Sequence, residues 1–350
     1  MSALSDIVAK FRAASPNIAA AFDEVERRLV ALEGTPPPPS NKLKWAPPAL
    51  TSPSTVNVSS PGTYNLTGDS VVNLNLSFSG RNRITLAGGR HIKIIGGQID
   101  YANTANDDGD SSLQIDGGDP TGVVHIEGLR IINLPNGITL KTPRLTRIQN
   151  CHIRVAIFQN NTSLGHPDII QVWRGFKSPG IQVHRLTAHS PFTFLCDFTD
   201  EPGVVIGSQT PAFWELHDVD MHGPTALNNW MGSPQHAVWK GSNCWLETST
   251  TDSGQRRDLG DQLRQFGEQY SPKHAGYQIL DSAGAVLYTQ QPGVASGAPG
   301  TIGTVQGHVL RYLASAHPNL TVEWRCQLPP GGEFVPASSV GAGYVSPGYA

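Results

Sequence analysis

The 350-residue sequence predicts an all-β chain, a right-handed parallel β-helix preceded by an α-helical coiled-coil segment and followed by a small C-terminal β-rich region. Two observations carry that expectation. A degenerate strand unit recurs at HIKIIGGQID (91–100), VVHIEGLRII (123–132), LTRIQNCHIR (145–154), GIQVHRLTAH (180–189) and FWELHDVDMH (213–222), with starts 32, 22, 35 and 33 residues apart. Each copy alternates apolar residues, reaches a polar or glycine kink near its middle, and alternates again. A unit of that size has one apolar face and cannot bury it alone, so copies must stack, and stacked strands make a parallel β-helix. The second observation is the supply of 37 glycines and 27 prolines, which many short strands joined by turns require.

The elements follow in order. Residues 1–34 read as a helical attachment segment: Leu4, Phe11, Ile18, Val25 and Leu32 recur every seven residues. Val8, Ser15, Phe22 and Leu29 fill the second seam position of a coiled coil. Ser15-Pro16 caps and restarts the helix. Self-association through this seam competes with packing of the same face on the protein's own body. Residues 35–55 read as a proline-rich linker, opened by the stiff tetraproline of GTPPPPS. The β-helix is expected over 56–246, with second strands at SLQIDG (112–117), NGITLKT (136–142), PDIIQVW (167–173) and FTFLCDF (192–198). Asparagines near its corners are expected to pair their amides from turn to turn. Residues 247–350 read as a C-terminal β-rich cap, with a helix at QRRDLGDQLRQFGEQY, a hairpin in YQILDSAGAVLYT, and strands at HVLRYL and LTVEWRCQL. The glycine-rich end, SSVGAGYVSPGYA, is expected to lie extended along a neighbouring surface.

Composition excludes several functions. Net charge is −3 with 15% charged residues, which lacks the basic footprint of nucleic-acid binding. No apolar run approaches the length of a membrane span, and the N-terminus lacks the apolar core of a signal peptide. Cys151, Cys196, Cys244 and Cys326 are widely spaced, which favours buried free thiols over metal or redox motifs. No phosphate-binding loop, serine elbow or paired-histidine zinc motif is present, and no cofactor is expected.

Three groups of side chains are candidates for chemistry. In GHPDIIQVW, Asp168 opens a strand, and CDFTDE supplies Asp197 and Asp200 about one turn later. Two such carboxylates on a shared face would stand roughly 5–9 Å apart, spanning both glycosidase geometries, with His166 as proton carrier. The competing reading has these acids capping turns and pairing with Arg154, Arg174 or Arg185. Histidines are plentiful, but His184 and His189 are five residues apart, as are His217 and His222. Strict alternation sends each pair to opposite faces, so no metal site is expected and solvated histidines are. Trp173, Trp214, Trp230 and Trp239 cluster in the sequence and suit stacking on sugar rings, or equally the filling of a wide interior or a subunit interface.

The helix, proline linker, repeated strands and small β cap, with GHPDIIQVW and the closing SVGAGYVSPGYA, resemble the tail spike and minor tail proteins of bacteriophages infecting actinobacteria. The resemblance implies a virion location, a homotrimer, attachment to other tail proteins through the N-terminal segment, and contact with a polysaccharide of the host envelope. Pectin-degrading hydrolases of similar fold carry a Gly-His-Gly and an Arg-x-Lys beside their aspartates; this chain has Gly165-His166-Pro167 instead. The expected task is therefore glycan binding, with a polysaccharide depolymerase and a purely structural tail-tip component as alternatives.

Overall fold

A computed structural model describes residues 42–80, 82–102, 111–156, 167–172, 178–190, 193–197, 213–223, 238–248, 276–281, 283–290, 309–312, 320–321, 323–325, 329 and 331–350. Leu43–Tyr349 forms one compact unit, to which everything below refers. The coiled-coil seam from Leu4 to Leu32 and the helix expected at 255–270 lie outside the described residues.

Among the described residues the regular secondary structure is nearly all strand, and the strands belong to two large sheets. In chain order they are β1 (Ser54–Val58), β2 (Gly62–Leu66), β3 (Ser70–Phe78), β4 (Ile84–Gly88), β5 (Ile92–Ile95), β6 (Gln98–Tyr101), β7 (Leu113–Asp116), β8 (Val123–Glu127), β9 (Arg130–Leu134) and β10 (Ile138–Lys141). There follow β11 (Leu145–Val155), β12 (Asp168–Val172), β13 (Ile181–His189), β14 (Thr193–Asp197), β15 (Phe213–Gly223) and β16 (Val238–Thr248). The smaller sheet runs β14-β12-β10-β7-β4-β2, all parallel; the larger takes the strands between them, also parallel. From β1 to β15 the chain thus moves back and forth between the two sheets, with β5–β6 and β8–β9 each entering the larger sheet in succession, and β16 follows β15 in the larger sheet.

The repeat units fall on β5–β6, β8–β9, β11, β13 and β15, and pairing aligns equivalent residues in columns about 4.8 Å apart. Ile94, Ile126, Ile148, Val183 and Leu216 make one buried column of the larger sheet. Ile84, Leu113, Ile138 and Ile170 make its counterpart in the smaller one. Each such side chain stabilises the coil by roughly 1.5–3 kcal/mol on burial.

The mid-strand kink has a single cause. Gly96, Gly128, Asn150, Arg185, Asp218 and Asn243 occupy one column and all adopt left-handed backbone, with φ of 68°, 68°, 51°, 54°, 52° and 57°. Glycine, asparagine and aspartate tolerate that region best. Arg185 is the exception, tied by Nε to Asn150 Oδ1 at 3.4 Å and by Nη2 to the Phe334 carbonyl at 3.2 Å. Past the kink the apolar column resumes with Ile99, Ile131, Ile153, Ala188 and Met221.

The C-terminal strands extend the larger sheet. β17 (Tyr277–Leu280) and β18 (Val286–Gln290) form the expected hairpin, and β17 pairs antiparallel with β19 (Val309–Tyr312). β20 (Leu320–Thr321) and β21 (Glu323–Arg325) then pair in parallel with β16. The linker expectation needs correction at its end. Leu43 is fully buried, bridges to Tyr349, and leads into a segment hydrogen-bonded to the coil. An apolar pair of residues, Leu43 and Trp45, outweighs the flanking prolines.

Candidate functional site

The outer face on either side of the kink column carries the polar side chains, and the chain's own ends lie upon it. Upstream of the kink, Gln149 Oε1 accepts hydrogen bonds from the Lys44 and Trp45 amides, and its Nε2 donates to the Trp45 carbonyl at 2.6 Å. His184 Nδ1 accepts from the Lys44 amide, which leaves the ring's proton on Nε2, 3.2 Å from Asp218 Oδ2. One turn on, His217 contacts Glu215 and Ser242; burial lowers its pKa against the pull of Glu215.

Towards the start of the coil the same face holds Glu127, which is fully buried. Its carboxylate accepts from Tyr344 Oη at 2.9 Å, from Tyr349 Oη, and from His125 Nε2 at 3.1 Å. Burial raises the Glu127 pKa, but these donors outweigh it and leave the carboxyl below its ordinary value. Burial and the same carboxylate push both tyrosines up, so they remain neutral donors. The glycine-rich end of the chain is thus laid along the coil, as its composition suggested.

Downstream of the kink, three imidazoles stack across β11, β13 and β15. The His152 and His189 rings lie 5.2 Å apart and those of His189 and His222 lie 4.2 Å apart. His152 Nδ1 meets the Val335 carbonyl at 2.9 Å, and because a carbonyl only accepts, that nitrogen carries the proton. The Val335 amide donates to Thr187 Oγ1 at 2.9 Å, and His189 Nε2 lies 3.0 Å from Glu333 Oε1. Burial, with His222, His152 and Arg154 close by, lowers the His189 pKa to about 3, so the ring is neutral. One donor atom each from His152, His189 and Glu333 falls within 4.8 Å of the others.

The parity argument against shared histidine faces is therefore overturned. A left-handed residue between His184 and His189, and another between His217 and His222, resets the alternation and brings each pair to the outer face. Nor are these histidines broadly solvated, since His152, His184 and His222 are buried.

The carboxylate candidates fare differently from one another. Asp168 is fully buried, its Oδ2 accepting from Gln171 Nε2 at 2.9 Å, so it is not presented to a polymeric substrate. The expectation of a solvent-facing strand start fails because every residue of β12 is buried. Asp197 ends β14 at the register position held by Leu86, Ile115, Leu140 and Val172 in the preceding turns. His166 and Asp200 lie outside the described residues. Trp214 is buried in the coil and so offers no ring to a sugar. Trp239 pairs with Trp214 in the register, while Trp173 and Trp230 lie outside the described residues. Cys151 and Cys244 are buried free thiols, as expected, the first pushed up to about 12 by burial.

The open polar surface is elsewhere, on the first turns. The exposed positions of β1, β2 and β3 include Asn57, Thr63, Asn65, Asn73, Asn75 and Ser77, and no exposed position of these strands carries a charge. Asn57 and Asn73 are register partners joined by Asn73 Nδ2 donating to Asn57 Oδ1 at 2.8 Å, an amide pair within the strands and not at a corner. Comparison with protein-family models, curated proteins and solved structures finds no match to this chain.

Proposed function

We propose that the chain is a virion tail component built as a right-handed parallel β-helix, which binds a polysaccharide of the host envelope without cleaving it. The observation that carries the reading is the uncharged amide and hydroxyl surface of β1 and β3, which pair in the larger sheet. Amides and hydroxyls both donate and accept, as sugar hydroxyls do, and a rigid ladder of them loses little entropy on binding. The glycan contact is thus drawn on the asparagines, and of the four tryptophans Trp214 is withdrawn by its burial. Burial of Asp168 weighs against the depolymerase alternative. Residues 1–34 would join three copies and attach them to other tail proteins, and three weak sites acting together would raise retention well above that of one.

The test is affinity electrophoresis of the full chain through gels containing actinobacterial envelope polysaccharide. Retardation is expected, and the Asn57→Ala/Asn73→Ala/Asn75→Ala variant should lose about tenfold or more in affinity, roughly 1.4 kcal/mol. Equal retardation of the folded variant would overturn the assignment of this face.

A further inference from the structure

We propose that His152, His189 and Glu333 form a binding site for a divalent transition-metal ion of the zinc class, which fastens the C-terminal segment to the coil. The donor set is two imidazoles and a carboxylate, the combination that suits zinc when a fourth position is left to water. Their donor atoms already converge within 4.8 Å. Atoms bound tetrahedrally to one ion at about 2.0–2.2 Å stand about 3.3–3.6 Å apart, so a side-chain rotation that draws the set in by roughly 1 Å closes it. Glu333 is the member free to supply it, being partly exposed on the C-terminal segment.

The surroundings hold the ligands as a metal site requires. His152 gives its Nδ1 proton to the Val335 carbonyl, which fixes its tautomer with Nε2 as the lone-pair nitrogen. The Val335 amide bonds to Thr187 Oγ1, so the backbone two residues beyond Glu333 is pinned at two points. His189 in its other neutral tautomer turns the Nε2 lone pair towards Glu333 Oε1, 3.0 Å away. Both of these side chains are about three-tenths exposed, which gives the ion an entry path and room for a water ligand. Two ligands come from adjacent strands of the coil and the third from a segment 144 residues further on. Free energy of metal binding therefore becomes free energy of docking that segment.

The experiment is calorimetric titration of the chelator-stripped full-length protein with zinc chloride, with amide hydrogen exchange of 331–349 followed in parallel. One equivalent per chain is expected, with slower exchange in 331–349. Because losing even an outer-shell partner typically costs about 10–100-fold in affinity, Glu333→Gln and His189→Gln should each weaken binding by about 100-fold. Glu333→Gln changes only the C-terminal segment, so failure of the coil to fold does not confuse that arm. Absence of binding to the unaltered protein would overturn the proposal. So would binding that both variants retain, since the chain has twelve histidines to supply other sites.

Discussion

Replacing Tyr344 by phenylalanine isolates what holds the C-terminal segment on the coil. The ring remains, so its packing over Gly128 is kept; only the hydroxyl is lost. That hydroxyl donates to Glu127 Oε1 at 2.9 Å and accepts from Asn150 Nδ2 at 3.0 Å. A bond to a charged acceptor contributes about 1.5–3 kcal/mol and a neutral one about 0.5–1.5 kcal/mol. Glu127 keeps Tyr349 and His125 as donors, which softens the loss, so roughly 2–3 kcal/mol is expected. At 1.4 kcal/mol per decade, local opening should speed up by about 30- to 150-fold. Native-state hydrogen exchange reads this at the amides of Gly341, bonded to the Gly128 carbonyl, and Tyr344, bonded to that of Gly341. Exchange unchanged within about threefold would refute the claim that Glu127 and its partners hold the segment down.

Two further outcomes follow from the same geometry. Gly128→Ala would drive a methyl into the Tyr344 ring at a φ of 68°, so it should release the C-terminal segment, seen as rapid cleavage within 331–349 by a nonspecific protease. Protection equal to wild type would contradict this. Asp69, buried and bonded twice by Arg90 at 2.8 and 2.6 Å, has a carboxyl held well below the usual range, chiefly by that arginine. Its folded pKa lies below the unfolded value of about 3.9, so its stabilisation is whole above that pH and drains away as pH falls through the folded value. The stability gap between wild type and Asp69→Asn should therefore narrow as denaturation is measured from about pH 5 down to about pH 2; a constant gap would count against the ion pair.

Much of the coil was legible because its signals are local. The five repeats mark β5–β6, β8–β9, β11, β13 and β15, and the glycine or polar residue in their middles marks the left-handed column. Strict alternation fails across that column: Arg185 and Asp218 reset it as Gly96 and Gly128 do, which puts His184 with His189, and His217 with His222, on one face. The burial of Asp168 has a different cause. Its strand reads Asp-Ile-Ile-Gln-Val, and two adjacent isoleucines mark burial on both faces, not a half-solvated strand. Glu333, Tyr344 and Tyr349 were beyond reach, because their partners lie 144, 217 and 222 residues away and no periodicity links a terminal segment to the strand it covers.

The most direct test of the functional account is to pellet the protein with actinobacterial envelope polysaccharide and to analyse the supernatant for oligosaccharides by mass. Co-sedimentation of the protein with no new fragments is the predicted result. Release of oligosaccharides, abolished by Asp200→Asn or Asp168→Asn in a folded chain, would contradict it and make the protein a depolymerase.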